Sequence, residues 1–289
     1  MCRLRPRLLV VGLLLLGPAA CADSPASPDT NPDVAFAVAA TNSEAPFQTW
    51  HQGFNHDTEG WYGAETEGGL GWCGGVEQVD RRTGNLNPSA GRGYAIVSLG
   101  GCNDFWIAQG FSENLVNAPW APGPDFSLFS DVWPAGGFVY ELDIYLDPSW
   151  TSAEPELPLF NDQAPPGTVF TYVGSVREIA TDRFFYFAVP VLSENGALSI
   201  FGHTVDEAGW YTFRHVFAED GGHLSVTFEL ANRSGGTLLT ESIETEFFGQ
   251  DVDLGALAVT ELSSGYVWFA ALADGLEVPI DEHRVRPGR

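Results

Sequence analysis

Lysine is absent from this chain: all 13 basic residues are arginine, against 38 acidic ones, for a formal charge of −25 over 289 residues. A surface of that sign repels phosphate backbones and anionic headgroups, so nucleic acid is no partner, and a membrane is reached only through an attached lipid. Long apolar runs are missing too. The run Leu8 to Leu16 is too short to cross a bilayer, which takes about 20 residues. Cysteine is scarce, with four in the chain and no CxxC or Cys/His spacing, so a structural zinc of that type is not indicated. No Walker loop, dinucleotide fingerprint, Ser/His/Asp arrangement or internal repeat is present, and no segment carries a convincing helical stripe.

What is present begins with a leader. Arg3, Arg5 and Arg7, the apolar run and then Gly17-Pro-Ala-Ala-Cys21 follow the basic, apolar, small-residue order of a secretory signal over residues 1–21. Two readings of its end stay open. Ala19-Ala20-Cys21 resembles a bacterial lipobox, with Cys21 lipidated and the protein held in the cell envelope, although Pro18 stands where that motif usually has Leu. Cleavage after Ala22 in Ala20-Cys21-Ala22 would instead release an extracellular protein. Residues 22–46, rich in Ala, Pro, Ser and Asp, read as a disordered linker. Export leaves Cys73 and Cys102 in the folded domain, where they are expected to pair, the alternative being two buried free thiols. The loop such a bridge closes is worth about 3 to 4 kcal/mol on a chain-entropy basis.

From residue 47 to 282 the period is two. Phe138, Tyr140, Leu142, Ile144 and Leu146 alternate with Val139, Glu141, Asp143, Tyr145 and Asp147, and Leu224, Val226, Phe228 and Leu230 alternate with Ser225, Thr227, Glu229 and Ala231. Further strands are expected at 47–50, 94–99, 169–176, 183–192, 211–218, 238–245, 266–272 and 276–281, with turns at Glu194-Asn-Gly, Asp220-Gly-Gly and Ser234-Gly-Gly. With 33 Gly, 19 Pro and 13% aromatics, this predicts an all-β chain, a two-sheet antiparallel sandwich of jelly-roll type, followed by a tail at 283–289. The Pro-rich segments 117–135 and 148–167 are expected to form loops at one rim.

Tyr140-Glu-Leu-Asp-Ile-Tyr-Leu-Asp147 is the most suggestive stretch. Jelly-roll glycoside hydrolases of the laminarinase and agarase type carry E-x-D-x-E or E-x-D-x-x-E on a strand, because alternate positions can hold nucleophile and acid/base roughly 5 to 5.5 Å apart. Glu141 and Asp143 match the first two carboxylates. Tyr145 and Leu146 occupy the places of the third, which removes the group that would protonate the leaving oxygen. The simpler reading is a solvated polar strand face, with Asp143, Tyr145 and Asp147 available to a ligand. Asn55, Asp57 and Glu59 form a weak calcium candidate, since three oxygen donors are only part of the six to eight that calcium takes; a turn stabilised by Asp and Asn explains them better. No other cofactor is expected.

Four stretches carry a resemblance: Phe54-Asn-His-Asp-Thr-Glu-Gly-Trp61, Leu142-Asp-Ile-Tyr-Leu-Asp147, Gly209-Trp-Tyr-Thr-Phe-Arg-His-Val-Phe through Val226, and Gly265-Tyr-Val-Trp-Phe269. In this order they resemble a family of uncharacterised secreted bacterial proteins with a concanavalin-like jelly-roll sandwich. The resemblance implies the fold and export, and no activity. Within the third stretch, Tyr211, Phe213, His215 and Phe217 share one strand face, so His215 is expected as a core or interface residue rather than a base. The sequence is thus read as an exported β-sandwich, lipid-anchored on the lipobox reading, that binds rather than catalyses. Carbohydrate is the leading ligand, with Trp61, Trp72, Trp106, Trp120 and Trp133 as stacking candidates. The alternatives are a glycoside hydrolase or polysaccharide lyase using Glu141 and Asp143, and a structural cell-surface protein.

Overall fold

In the computed structural model the described residues are 49–63, 75–98, 106–110, 133–152, 165–181, 183–243, 253–270, 272–273 and 275–288. The signal, the linker, Cys21, Cys73, Cys102, Trp72 and Trp120 lie outside them. Among the described residues there are fifteen strands: β1 Trp50–Gln52, β2 Trp61–Gly63, β3 Gly75–Asp80, β4 Gly93–Ser98, β5 Trp106–Gly110, β6 Phe138–Leu146, β7 Thr168–Glu178, β8 Arg183–Glu194, β9 Ala197–Ile200, β10 His203–Val205, β11 Gly209–Asp220, β12 His223–Asn232, β13 Thr237–Ser242, β14 Leu262–Ala270 and β15 Glu277–Pro287. All pair antiparallel in two sheets. One runs β13-β12-β11-β6-β15-β4-β3 with β1 added beside β15, and the other runs β10-β9-β8-β7-β14-β5-β2. Chain neighbours repeatedly sit in different sheets, giving the jelly-roll sandwich.

The period-two pattern builds the core directly. Phe138, Tyr140, Leu142, Ile144 and Leu146 of β6 face inward together with Phe213, His215 and Phe217 of β11, and they meet Tyr172, Phe187 and Phe269 of the other sheet. His215 lies between Tyr172 and Phe228 and bonds the Phe187 carbonyl oxygen through Nε2 at 3.0 Å; burial drives its pKa down to about 3, so it is a neutral core residue. Gly174 of β7 makes room for it, since a Cβ there would stand 2.9 Å from the imidazole. The turns match their sequence. Asn195-Gly196 and Gly221-Gly222 all have positive φ, as two-residue hairpin turns require.

Two expectations change. The tail placed at 283–289 is instead the second half of β15, which runs to Pro287 and pairs with both β1 and β6. A bulge between Asp281 and Arg284, with Glu282 at φ 52°, breaks the alternation there; it leaves His283 and Val285 facing inward and makes a charged run look like a tail. The polar side of β6 is also not solvated: Glu141 is only 7% exposed. The β3–β4 loop, residues 81–92, and arginines from β11 and β15 cover it.

Candidate functional site

The outer face of the eight-stranded sheet is built from register pairs. Across β11, β6 and β15, Thr212, Asp143 and Asp281 form one row, flanked on one side by the row of Arg214, Glu141 and Arg284 and on the other by Trp210 and Tyr145. Alternate residues of one strand are about 6.6 Å apart, so these rows are close neighbours.

Glu141 Oε1 accepts hydrogen bonds from Arg214 Nε and from Arg286 Nη2, each at 2.7 Å. Burial alone would raise the Glu141 carboxyl; the two guanidiniums outweigh it and hold it below the usual carboxylate range. Asp143 moves the other way. Burial raises its pKa despite hydroxyl bonds from Ser89 and Thr212, each at 2.6 Å. Its cross-strand neighbour Asp281 accepts from the backbone N–H of Ala90 and of Glu282, yet burial pushes its pKa up to about 7.

The 81–92 loop is what brings Ser89 and Ala90 over this face. Trp210 Nε1 donates to the Asn87 carbonyl at 2.7 Å and Arg233 donates to the Ser89 carbonyl at 3.1 Å. At the far end of the loop the Arg92 N–H donates to Asn55 Oδ1, and Gly91, at φ 67°, leaves the space that the Asn55 side chain occupies.

A cleft lies on each side of this cover. One of about 420 Å³ is lined by Tyr145, Trp210, Tyr211, Asn85, Asn87 and Asn232, together with the charged Glu207 and Arg233. The other, of about 480 Å³, is lined by Glu141, Arg214, Arg286, Glu229, Val139 and Val216.

The structure therefore separates the sequence candidates. Tyr145 lines the first cleft, Asp143 lies under the loop between the two, and Glu141 lines the second. Asp147 is outside both and caps a turn, accepting the Ser149 N–H at 2.9 Å. Asn55 is taken up by Arg92. Asp57 accepts from Gln52 Nε2 and the Glu59 N–H, which lower its pKa in that order, so these two residues behave as turn formers. Among the described residues no group of three or more His, Cys, Asp or Glu is placed to hold a metal ion. Trp61 does not face solvent: it is 4% exposed and donates to His283 Nδ1 from within the core, while Trp133 packs edge-on against Phe138. The side chain of Trp106 is outside the described set. Ser89, Asp281, Arg214 and Arg286 were not site candidates in the sequence; the charged alternation of Glu282, Arg284 and Arg286 was the signal that could have marked β15.

Fold and site together define a two-sheet jelly-roll sandwich with polar clefts on an outer sheet face. No family model and no curated protein matches the chain. Solved structures similar to it include a protein of unknown function from Shewanella oneidensis MR-1, at 12% identity and a TM-score of 0.36 over 82% of this chain and 84% of that one. The winged bean acidic lectin complexed with methyl-α-D-galactose is similar at 11% identity and a TM-score of 0.32, over 82% and 98%. A GH43 protein from Bacillus licheniformis is similar at 12% identity and a TM-score of 0.27, over 82% and 38%.

Proposed function

We propose that this is an exported, non-catalytic carbohydrate-binding protein whose site is the cleft of Tyr145 and Trp210. The observation that carries the reading is the lining itself. The half-buried Tyr145 ring, with Trp210 (6% exposed) packed edge-on against it, offers flat apolar surface to the C–H face of a sugar ring; the amides of Asn85 and Asn87 both donate and accept and so suit neighbouring hydroxyls, and Asn232, whose Oδ1 already accepts from Ser234 and Gly236, adds an NH2 donor. Tyr145 stands edge-on to Trp210 at 5.5 Å, and the Trp210 indole is fixed by its bond to Asn87, so the aromatic wall is preorganised. A glycan array probed with and without calcium tests this. Binding that weakens at least tenfold in Tyr145→Ala is expected; no binding to any glycan at millimolar protein, in either condition, ends the reading.

One observation favours a hydrolase: Glu141 and Asp143, two positions apart on β6, have their pKa values pushed in opposite directions, as a nucleophile and acid pair would. Against it, both arginines occupy one oxygen of Glu141, and both oxygens of Asp143 accept hydroxyl bonds. Reducing-sugar release from β-glucans, equal in wild type and Glu141→Gln, would remove this alternative.

The remaining parts of the proposal concern the chain ends and cysteines. Lipidation at Cys21 would tether the domain to the cell envelope through the 22–46 linker, and mass spectrometry of the mature N-terminus decides between it and cleavage after Ala22. For a Cys73–Cys102 bridge the support is the register of Gly75 with Ser98 in β3 and β4, the first following Cys73 and the second preceding Cys102 in the chain. Intact mass after alkylation with and without reductant tests it: two labels gained only after reduction are expected.

A further inference from the structure

Around Ser89 the oxygen contacts outnumber the hydroxyl hydrogens. Thr212 Oγ1 lies 2.6 Å from Asp143 Oδ1, Ser89 Oγ lies 2.6 Å from Asp143 Oδ2, and the same Oγ lies 3.0 Å from Asp281 Oδ2. Three short contacts join four groups, and the two hydroxyls supply two hydrogens. With both carboxylates ionised, one of the three sets lone pair against lone pair between buried charges. One added proton makes all three hydrogen bonds: Asp281 donates to Ser89 Oγ, Ser89 donates to Asp143, and Thr212 donates to Asp143. The mirror arrangement, with the proton on Asp143, needs the same count, so the proton belongs to the pair.

We propose that Asp143, Ser89 and Asp281 form a proton-loaded latch that fastens the 81–92 loop over the outer face of the eight-stranded sheet, and that losing the shared proton releases the loop. The surroundings set its balance. From β15, Glu282 disfavours ionisation of both aspartates, and Arg284 favours that of Asp143. Arg233, from the β12–β13 turn, bonds the Ser89 carbonyl, Thr212 of β11 is neutral, and β4 brings no charged side chain. The loop's own Arg81, Arg82 and Arg92 are exposed.

Direction follows from burial. The Asp281 pKa is about 7 with the loop docked and in the ordinary carboxylate range with it released, so the docked state binds more protons between those values. Docking is then firmest at acid pH and weakens as pH rises, by up to tenfold per unit from about 4 to about 7, and changes no further above that. Asn85 and Asn87, which line the Tyr145 cleft, move with the loop; on the sugar-binding reading, binding would weaken with it.

The test needs no ligand, so it stands apart from that reading. Hydrogen exchange at the Ala90 amide, which bonds Asp281, is followed from pH 4 to 8 on the folded protein and corrected for the intrinsic pH dependence of exchange. Ala90 protection falling at least thirtyfold between pH 4 and 7, with the β4 amide of Ile96 unchanged, is the expected result. Asp281→Asn and Asp143→Asn each supply an amide donor in place of the proton, so each should flatten the Ala90 profile. Flat protection in wild type, or the same slope retained in both variants, would overturn the latch.

Discussion

The two sheets cover their outer faces by opposite means. On the seven-stranded sheet Val173, Tyr266 and Trp268 are buried beside Phe184, Tyr186 and Ala188, in an aromatic layer separate from the main core. On the eight-stranded sheet the equivalent layer is Glu141, Asp143 and Asp281 with their arginine and hydroxyl partners. Apolar burial is non-directional and tolerates small shifts. A buried polar layer is stable only while each donor finds its acceptor, so one proton or one hydroxyl can change its shape. The face that can discriminate a ligand is therefore the polar one, and the aromatic one serves stability.

Substitutions that strip one face at a time would break this comparison. The largest effect is expected at Trp268→Ala, a loss of about 3–5 kcal/mol in denaturant melts; less than about 1 would mean that the aromatic layer packs loosely. Next is Glu141→Ala, which leaves Arg214 and Arg286 without the carboxylate they share and should cost about 3 kcal/mol by the same melts. Ser89→Ala removes the hydroxyl that bridges two aspartates and should cost about 1–2 kcal/mol. Asp147→Ala, at an exposed turn, should stay within about 0.5 kcal/mol.

The pH dependence sharpens the same contrast within the polar face. Glu141 has a lowered folded pKa, so its contribution is present above the ordinary carboxylate range and disappears as pH falls through the folded value. Asp281 has a raised one, so its contribution is present at acid pH and disappears as pH rises to about 7. Urea midpoints from pH 3 to 8 should show Glu141→Gln approaching wild type at the acid end. Over the same range, Asp281→Asn should gain on wild type toward pH 7.

The inward half of this arrangement was legible in the sequence because it is local. Alternation in β6, β11 and β12, with the turns Asn195-Gly196 between β8 and β9 and Gly221-Gly222 between β11 and β12, reports directly on strand face and hairpin. The outer layer depends on contacts between distant residues. Ser89 reaches Asp281 across 192 positions, and Glu141 meets Arg286 across 145. The bulge at Glu282 breaks the period where β15 begins to contribute charge, which is why His283 and Val285 read as tail residues. Tyr145 was legible as an outward side chain on β6, but the amides opposite it come from the 81–92 loop and the end of β12.

The binding claim is tested most directly by titrating isotopically labelled protein with neutral oligosaccharides and following the Trp210 indole N–H resonance. The account predicts that a bound sugar shifts this resonance in wild type and that the shift is lost in Tyr145→Ala. A sugar that binds without moving it, or binds the variant equally well, would contradict a site at this cleft.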